Sequence, residues 1–307
     1  MPKLADPTTV INLFVQAGYA EREVTPSERC TDAEFVRRVY LDLVGRIPNQ
    51  EEAQSFFAQT ESSKRDDVIE LLLKSDEFAI HFAQCFDTLL MGRKEKKLSE
   101  RKKHGWHEYL ETVFRENRPW NEVAEEILRA RATPSKERGH LWFLYERDNK
   151  HQDIAEAISR GFFGVDIACA QCYDHPMAHE IEQAHYWGLV AFFKRSKNEN
   201  VANGLAIAES AIGGFESYAN ALTGSTEEVS LTFLESDPVP EAKPEKPDKQ
   251  EDKDELYVTV ENEPRVPRFS RREKFVDEVL ANHPRLATAM VNRVWACLLY
   301  TSDAADE

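Results

Sequence analysis

The feature that most limits how this chain can fold is a succession of capped apolar stripes at helical spacing, recurring from Asp6 to Phe163. Asp6-Pro7 supplies a cap and a proline at the first helical position, and Val10, Leu13, Phe14 and Ala17 then recur up to Gly18. Thr31-x-x-Glu34 has the form of a capping box. It leads into Val36, Val39, Tyr40, Leu43 and Val44, with Arg37, Arg38 and Asp42 opposite and Gly45 as the stop. Pro48 and Asn49 begin another short helix, while Ser63 and Ser75 precede two more whose apolar faces carry Val68, Leu72, Phe82 and Phe86. After a basic stretch, Trp106, Tyr109, Leu110, Val113 and Phe114 form one stripe, and Pro119 opens the next through Leu128. Thr133-Pro134-Ser135 breaks it, and Gln152 to Phe163 is helical again. A stripe of this kind has to bury itself against another element, so the series predicts a core made of helices.

Past Ser196 the pattern changes. Short alternating runs at Val229–Phe233 and Leu256–Val260 predict a β-ribbon, and Glu235–Glu255, rich in Pro, Lys, Glu and Asp, predicts a disordered loop between them. Helical spacing returns with Phe275, Val276 and Val279 and again from Leu286 to Trp295. The expected fold is therefore mainly α. A multi-helix first domain spans 1–200, a linker with a small β-ribbon and an acidic, Pro-rich loop spans 201–264, and a second helical domain starts within 265–297.

Charge excludes one broad class of partner. Lys and Arg total 39 against 55 Asp and Glu, a formal net charge of −16, whereas nonspecific nucleic-acid binding requires a basic footprint. The basic run Arg93 to Lys103 is local and reads as a solvated face. No apolar run reaches the roughly 18 residues of a membrane span, and the first twenty residues lack the apolar stretch of an export signal. No nucleotide-binding loop, Gly-x-Ser-x-Gly elbow or His-Glu-x-x-His pattern occurs, so the common hydrolase signatures are absent.

The candidate chemistry gathers in residues 161–196, which hold Cys169, Cys172, His175, His179 and His185. Three readings of these residues stand side by side. Two thiolates and two imidazoles, Cys169, Cys172, His175 and His179, are a ligand set for tetrahedral zinc, with Asp174 available to orient an imidazole. Cys169-x-x-Cys172 has the spacing that attaches haem c, with His175 as an iron ligand. The third reading is a local disulfide or packed cysteines, with His175-Pro176 in a turn. A thioredoxin-like role would need a βαβ context, which the pattern lacks. Cys30, Cys85 and Cys297 have no near histidine in the sequence and read as core or free thiols, and His104-x-x-His107 reads as a solvated helix face.

Several segments together, FVRRVYLDLVGRIPNQEEAQSFF at 35–57, SRGFFGVDIACAQCYDHP at 159–176 and YWGLVAFFKRS at 186–196, resemble the planctomycete cytochrome c-like proteins over residues 8–196. RLATAMVNRVWA at 285–296 resembles the opening of the second domain usual in that family, with Asn292-Arg293-x-Trp295 its most recognisable element. The resemblance implies an exported protein of unestablished activity with a Cys-Ala-Gln-Cys-His-Asp-His-Pro motif, and hence haem c, extracytoplasmic electron transfer and a redox or cell-surface partner. A part in an extracellular hydrolase-like or carbohydrate-processing system is compatible with its multidomain construction, and so is a non-catalytic interaction domain. This chain departs from the motif at Tyr173, which stands where the family has histidine. Residues 298–307 do not continue the family pattern and read as translated sequencing adapter, which predicts a truncated second domain.

Overall fold

In the computed structural model the described residues are 6–93, 97–131, 139–201, 204–221, 223–259, 265–281 and 283–299. Among them, thirteen helices and three two-stranded ribbons make the mainly α architecture that the stripes predict. The break at Thr133-Pro134-Ser135 and residues 300–307 lie outside the described residues.

The helices α1 (Pro7–Glu21), α2 (Asp32–Val44), α3 (Gln50–Ala58), α4 (Lys64–Leu73) and α5 (Asp76–Met91) begin where the caps place them. Thr31 and Glu34 close a full capping box, Glu34 accepting from the Thr31 backbone N–H at 2.8 Å, and Asn49 with Glu52 forms a second. Ser63 differs: its hydroxyl bonds the Asp67 carboxylate and caps no backbone N–H. Gly45 ends α2 in the left-handed region at φ 72°, where a Cβ would also lie 2.4 Å from the His81 ring, so the stop is fixed twice. Helix α1 buries none of its residues and leaves Phe14 exposed.

Next come α6 (Leu98–Lys103), α7 (Trp106–Arg115), α8 (Trp120–Arg129), α9 (Trp142–Tyr145) and α10 (His151–Ile158). Helix α5 packs on α7 and α2, and a chain of rings crosses the core from Phe86 to Trp120 (5.1 Å between centroids), Trp120 to Phe162 (5.9 Å) and Phe162 to Phe143 (5.4 Å). Helix α10 widens into a π turn over Ser159–Phe163. The wider turn buries Phe162 and Phe163 on consecutive positions. Phe162 joins the ring chain just described, and Phe163 meets Phe233 and, across to the far end of the chain, Phe275.

The solvated reading of the basic stretch is corrected at Arg101. Its side chain has 0% exposure and sits between Asp87 and Glu146, with further bonds to the Met91 and Gly92 carbonyls. His104 stacks on Trp142 at 4.3 Å, and His107 lies 3.4 Å from the same Asp87, so this histidine pair packs against the core and does not face open solvent. Sequence spacing shows which face of a helix is polar but not that a polar face meets buried carboxylates.

Helix α11 (Gln183–Phe193) is buried nearly all round, and Gly188 is required within it: a Cβ there would lie 2.3 Å from the Thr232 carbonyl oxygen. Strands β1 (Ser196–Val201) and β2 (Gly204–Glu209) then pair antiparallel, Ser196 opposite Glu209. The polar composition of β1, Ser196-Lys-Asn-Glu-Asn-Val201, hides this hairpin in the sequence. Strands β3 (Ser217–Ala219) and β4 (Thr226–Glu228) form a second ribbon, and β5 (Tyr257–Val258) pairs with β6 (Val266–Pro267). The expected ribbon between 229–233 and 256–260 is therefore corrected: Leu231 bridges Val239 instead, and Val260 lies outside the described residues.

The acidic loop expected to be disordered is held from outside. Val239 is buried at its bridge to Leu231, Glu241 pairs with Arg195 (2.8 Å) and Arg271 (2.7 Å), and Gln250 accepts from the Gly213 N–H at 2.9 Å. A stretch poor in apolar residues thus gains its order from buried arginines elsewhere, which its own composition does not reveal. Helix α12 (Arg271–Lys274) runs into a π turn at Phe275–Leu280, and α13 (Pro284–Leu299) follows. Phe275 is fully buried against Phe192 and Phe193, so one continuous core joins residues from Val36 to Leu286.

Candidate functional site

The cysteine stretch begins where the π turn ends. Gly164 turns the chain in the left-handed region, and the Asp166 carboxylate accepts from the Ala168 N–H at 3.0 Å, opening a single 3-10 turn, Ala168–Gln171. Ile167 and Ala170 are buried and anchor the turn. Its far end is tied to α11, since the Gln171 carbonyl accepts from Trp187 Nε1 at 3.2 Å and Gln183 Nε2 at 3.3 Å. Gln183 also donates to the Ala219 carbonyl and receives, on its own N–H, a cap from Asp174 at 2.8 Å.

Cys169 and Cys172 are both exposed free thiols on this anchored turn. The Cys172 N–H donates to the Cys169 carbonyl at 3.4 Å, a three-residue closure of the kind that holds the two Cα atoms within about 7 Å. Tyr173 (45% exposed) and Met177 (86% exposed) stand beside them in solvent.

The histidines are placed otherwise than a shared site requires. His175 Nδ1 accepts from the backbone N–H groups of Met177 (3.2 Å) and Ala178 (3.0 Å), which puts the proton of the neutral ring on Nε2. His185 Nδ1 likewise accepts from the Glu182 N–H at 3.1 Å, inside the capping box of α11. His179 is exposed. The Asp174 carboxylate accepts from the Gln183 N–H and acts on the His185 ring through its charge. Among the described residues no group of three or more His, Cys, Asp or Glu side chains is gathered so as to hold a metal ion. A closed tetrahedral set from Cys169, Cys172, His175 and His179 does not fit this arrangement, and His175 as an iron ligand through Nδ1 would have to release two backbone amides.

A second cysteine cluster escapes sequence reasoning because its members are distant along the chain. Cys85 Sγ lies 3.9 Å from His81 Nε2, and Cys297 of α13 and Asp42 of α2 act electrostatically on the same group of residues. Burial pushes both thiols up, the reverse of what a thiolate nucleophile needs. The cluster is thereby a pair of protonated thiols at a helix junction.

The model of the PSCyt2 family, a protein of unknown function (DUF1549), matches residues 10–198. The chain belongs to this family. No curated protein and no solved structure matches the chain. The PSCyt2 match takes in α2 through α11 with the whole cysteine turn and ends inside β1.

One consequence of the folded core can be measured directly. Burial lowers the pKa of four histidines, His81, His151, His185 and His283. Charged neighbours only modify this: Asp42 opposes it at His81, Glu216 and the Ser196 carbonyl oppose it at His151 while Lys194 adds to it, Glu182, Glu235 and Asp174 oppose it at His185, and at His283 Glu235 opposes it while Arg285 adds to it. The unfolded chain then takes up protons first as pH falls through about 6.5, so stability is full above that value and declines below it. Melting temperatures read by circular dichroism from about pH 8 to about pH 5 are expected to fall on the acid side of 6.5. A flat profile across that window would refute the buried neutral state of these rings.

Proposed function

We propose that this PSCyt2 chain is a non-catalytic interaction domain of the planctomycete cytochrome c-like type, working outside the cytoplasm. Its Cys169–Cys172 turn closes into a surface disulfide. The observation that carries this reading is the closure from Cys172 N–H to the Cys169 carbonyl. It keeps the Cα atoms near the 4.4–6.8 Å range that a disulfide spans. An oxidising compartment supplies the acceptor for the two electrons and two protons that leave the thiols. The turn is held from below by Ile167, Ala170 and Trp187, so the bridge would form without moving the core.

Haem c on the same two sulfurs is a second reading, favoured by their exposure, since each thiol has to reach a vinyl group and add its S–H across it. Tyr173 follows Cys172 where the general haem c attachment pattern has histidine, so an iron ligand would come from a rearranged His175.

The two readings separate in one preparation. The chain is exported in a host competent for cytochrome maturation, denatured without reductant, and its five cysteines are titrated beside a visible spectrum. Three reactive thiols with no Soret band are expected, and a Cys169→Ser variant should expose Cys172 to the reagent. A Soret band that survives acid–acetone extraction would replace the disulfide by haem c. Five reactive thiols and no haem would refute both readings.

A further inference from the structure

Helix α13 and the π turn of α10 enclose a cavity of about 430 Å³ whose polar wall carries Arg160, Arg285, Arg293, Thr288, Asn292 and Asp166. Two of the three arginines are already matched. Arg285 pairs with Glu235 at 2.8 Å, and Arg160 pairs with Glu156 at 3.3 Å. Arg293 is not. Half-buried, it donates only to the backbone carbonyls of Gly161 and Arg160, and burial alone lowers its pKa, with no carboxylate among the described residues offsetting the charge.

A guanidinium has five N–H donors in a planar fork, and two carbonyls leave part of that fork free. Holding such a cation away from water without a counter-charge is costly unless an anion completes the site. The wall carries three cations and one carboxylate, that of Asp166. Thr288 and Asn292 lie one turn apart on the exposed face of α13; the Thr288 hydroxyl donates to the Pro284 carbonyl at 3.1 Å, and the Asn292 amide can donate to a ligand. Phe163 and Val165 line the cavity as well, giving an apolar wall against which the body of a ligand can rest.

We infer that this cavity is a binding site for a small oxyanion-bearing molecule, a carboxylate, phosphate or sulfate, whose charged group is held by Arg293 and flanked by Arg160 and Arg285. The volume suits a molecule larger than a bare inorganic anion and falls at the lower end of small-molecule sites. The site adjoins the cysteine turn through Asp166, whose carboxylate also accepts from the Ala168 N–H, but holds neither cysteine. It depends on α13, beyond the PSCyt2 match, so it joins that unit to the residues that follow.

Thermal shift and calorimetric titration of the whole chain with sodium phosphate, sodium sulfate and sodium glucuronate, each against sodium chloride at matched ionic strength, test the inference. Saturable stabilisation by at least one oxyanion is expected. Phosphate or sulfate acting alone assigns the ligand to that class, and glucuronate acting alone assigns it to carboxylates. Arg293→Gln should weaken binding roughly tenfold to a hundredfold. Thr288→Glu, at an exposed helix position that leaves the core untouched, should abolish it by placing a carboxylate in the mouth. Stabilisation no greater than chloride gives, or binding unchanged in Thr288→Glu, would overturn the inference.

Discussion

Replacing Glu209 by alanine is expected to cost about 3–5 kcal/mol of folding stability, because it strips from a fully buried arginine its one ion-pair partner among the described residues. Glu209 has 0% side-chain exposure at the end of β2. It accepts from Ser270 Oγ at 2.6 Å, from the Arg272 N–H at 3.3 Å and from Arg131 at 3.4 Å, and the Arg272 guanidinium lies 3.7 Å away. Burial pushes that guanidinium down to about 10, with Glu209 the largest influence in the other direction. Without Glu209, Arg131 keeps Glu273, whereas among the described residues Arg272 keeps the Ala130 and Ile207 carbonyls and the more distant charge of Glu273. Urea unfolding of the variant reads the loss, and Glu209→Gln, which retains an oxygen acceptor for one of the two donors, Ser270 Oγ or the Arg272 N–H, should recover only part of it. A loss below about 1 kcal/mol would show that the pair contributes no more than a surface ion pair.

The second large effect belongs to Arg101. Its removal in Arg101→Ala leaves Asp87 and Glu146 buried and facing each other's vacated partner, and about 3–5 kcal/mol is again expected at neutral pH. This variant carries a pH signature as well. In the intact protein burial pushes the Glu146 carboxyl up, but the hydrogen bonds and charge of Arg101 outweigh it and hold it below the usual carboxylate range. The stability that Glu146 contributes is therefore present above about pH 4.5 and is lost as pH falls through its depressed value. In Arg101→Ala burial is opposed only by the Trp142 hydrogen bond and the more distant Lys97 charge, the carboxyl takes up its proton more readily, and the deficit relative to the intact protein should narrow as pH drops toward 4.5. Parallel stability curves for the two proteins would argue that Arg101 acts through packing alone. Because the two networks share no residue, their losses should add.

The helical series was legible in the sequence because it rests on local rules. Thr31 with Glu34, Asn49 and Ser75 cap what they are expected to cap, and Val36, Leu43, Phe82 and Leu110 lie on faces that spacing alone assigns. What stayed hidden is what depends on distant partners. Arg101 sits in a basic run and reads as solvated until Asp87 and Glu146 are brought to it from other helices. Glu241 sits in an acidic, Pro-rich stretch and reads as disordered until Arg195 and Arg271 close on it. The cysteine turn lies between these cases. Its spacing marked Cys169 and Cys172, but whether His175 faces them or its own backbone depends on the Nδ1 contacts with Met177 and Ala178, which no spacing encodes.

The reach of Phe275 and Arg271 into the helical core carries a consequence for how the molecule can be cut or recombined. The family match ends at residue 198, yet Phe193 and Phe163 rest on Phe275, and the Ala191 carbonyl is capped by Arg271. A chain severed at that point would present bare rings along the inner side of α11 and leave the Ala191 carbonyl with the Lys194 N–H in place of the Arg271 cation. The stretch inherited as a recognisable sequence unit is thus smaller than the stretch that closes its own interior, so any exchange of modules between relatives has to carry the Ser270–Leu280 segment along or supply a replacement for it.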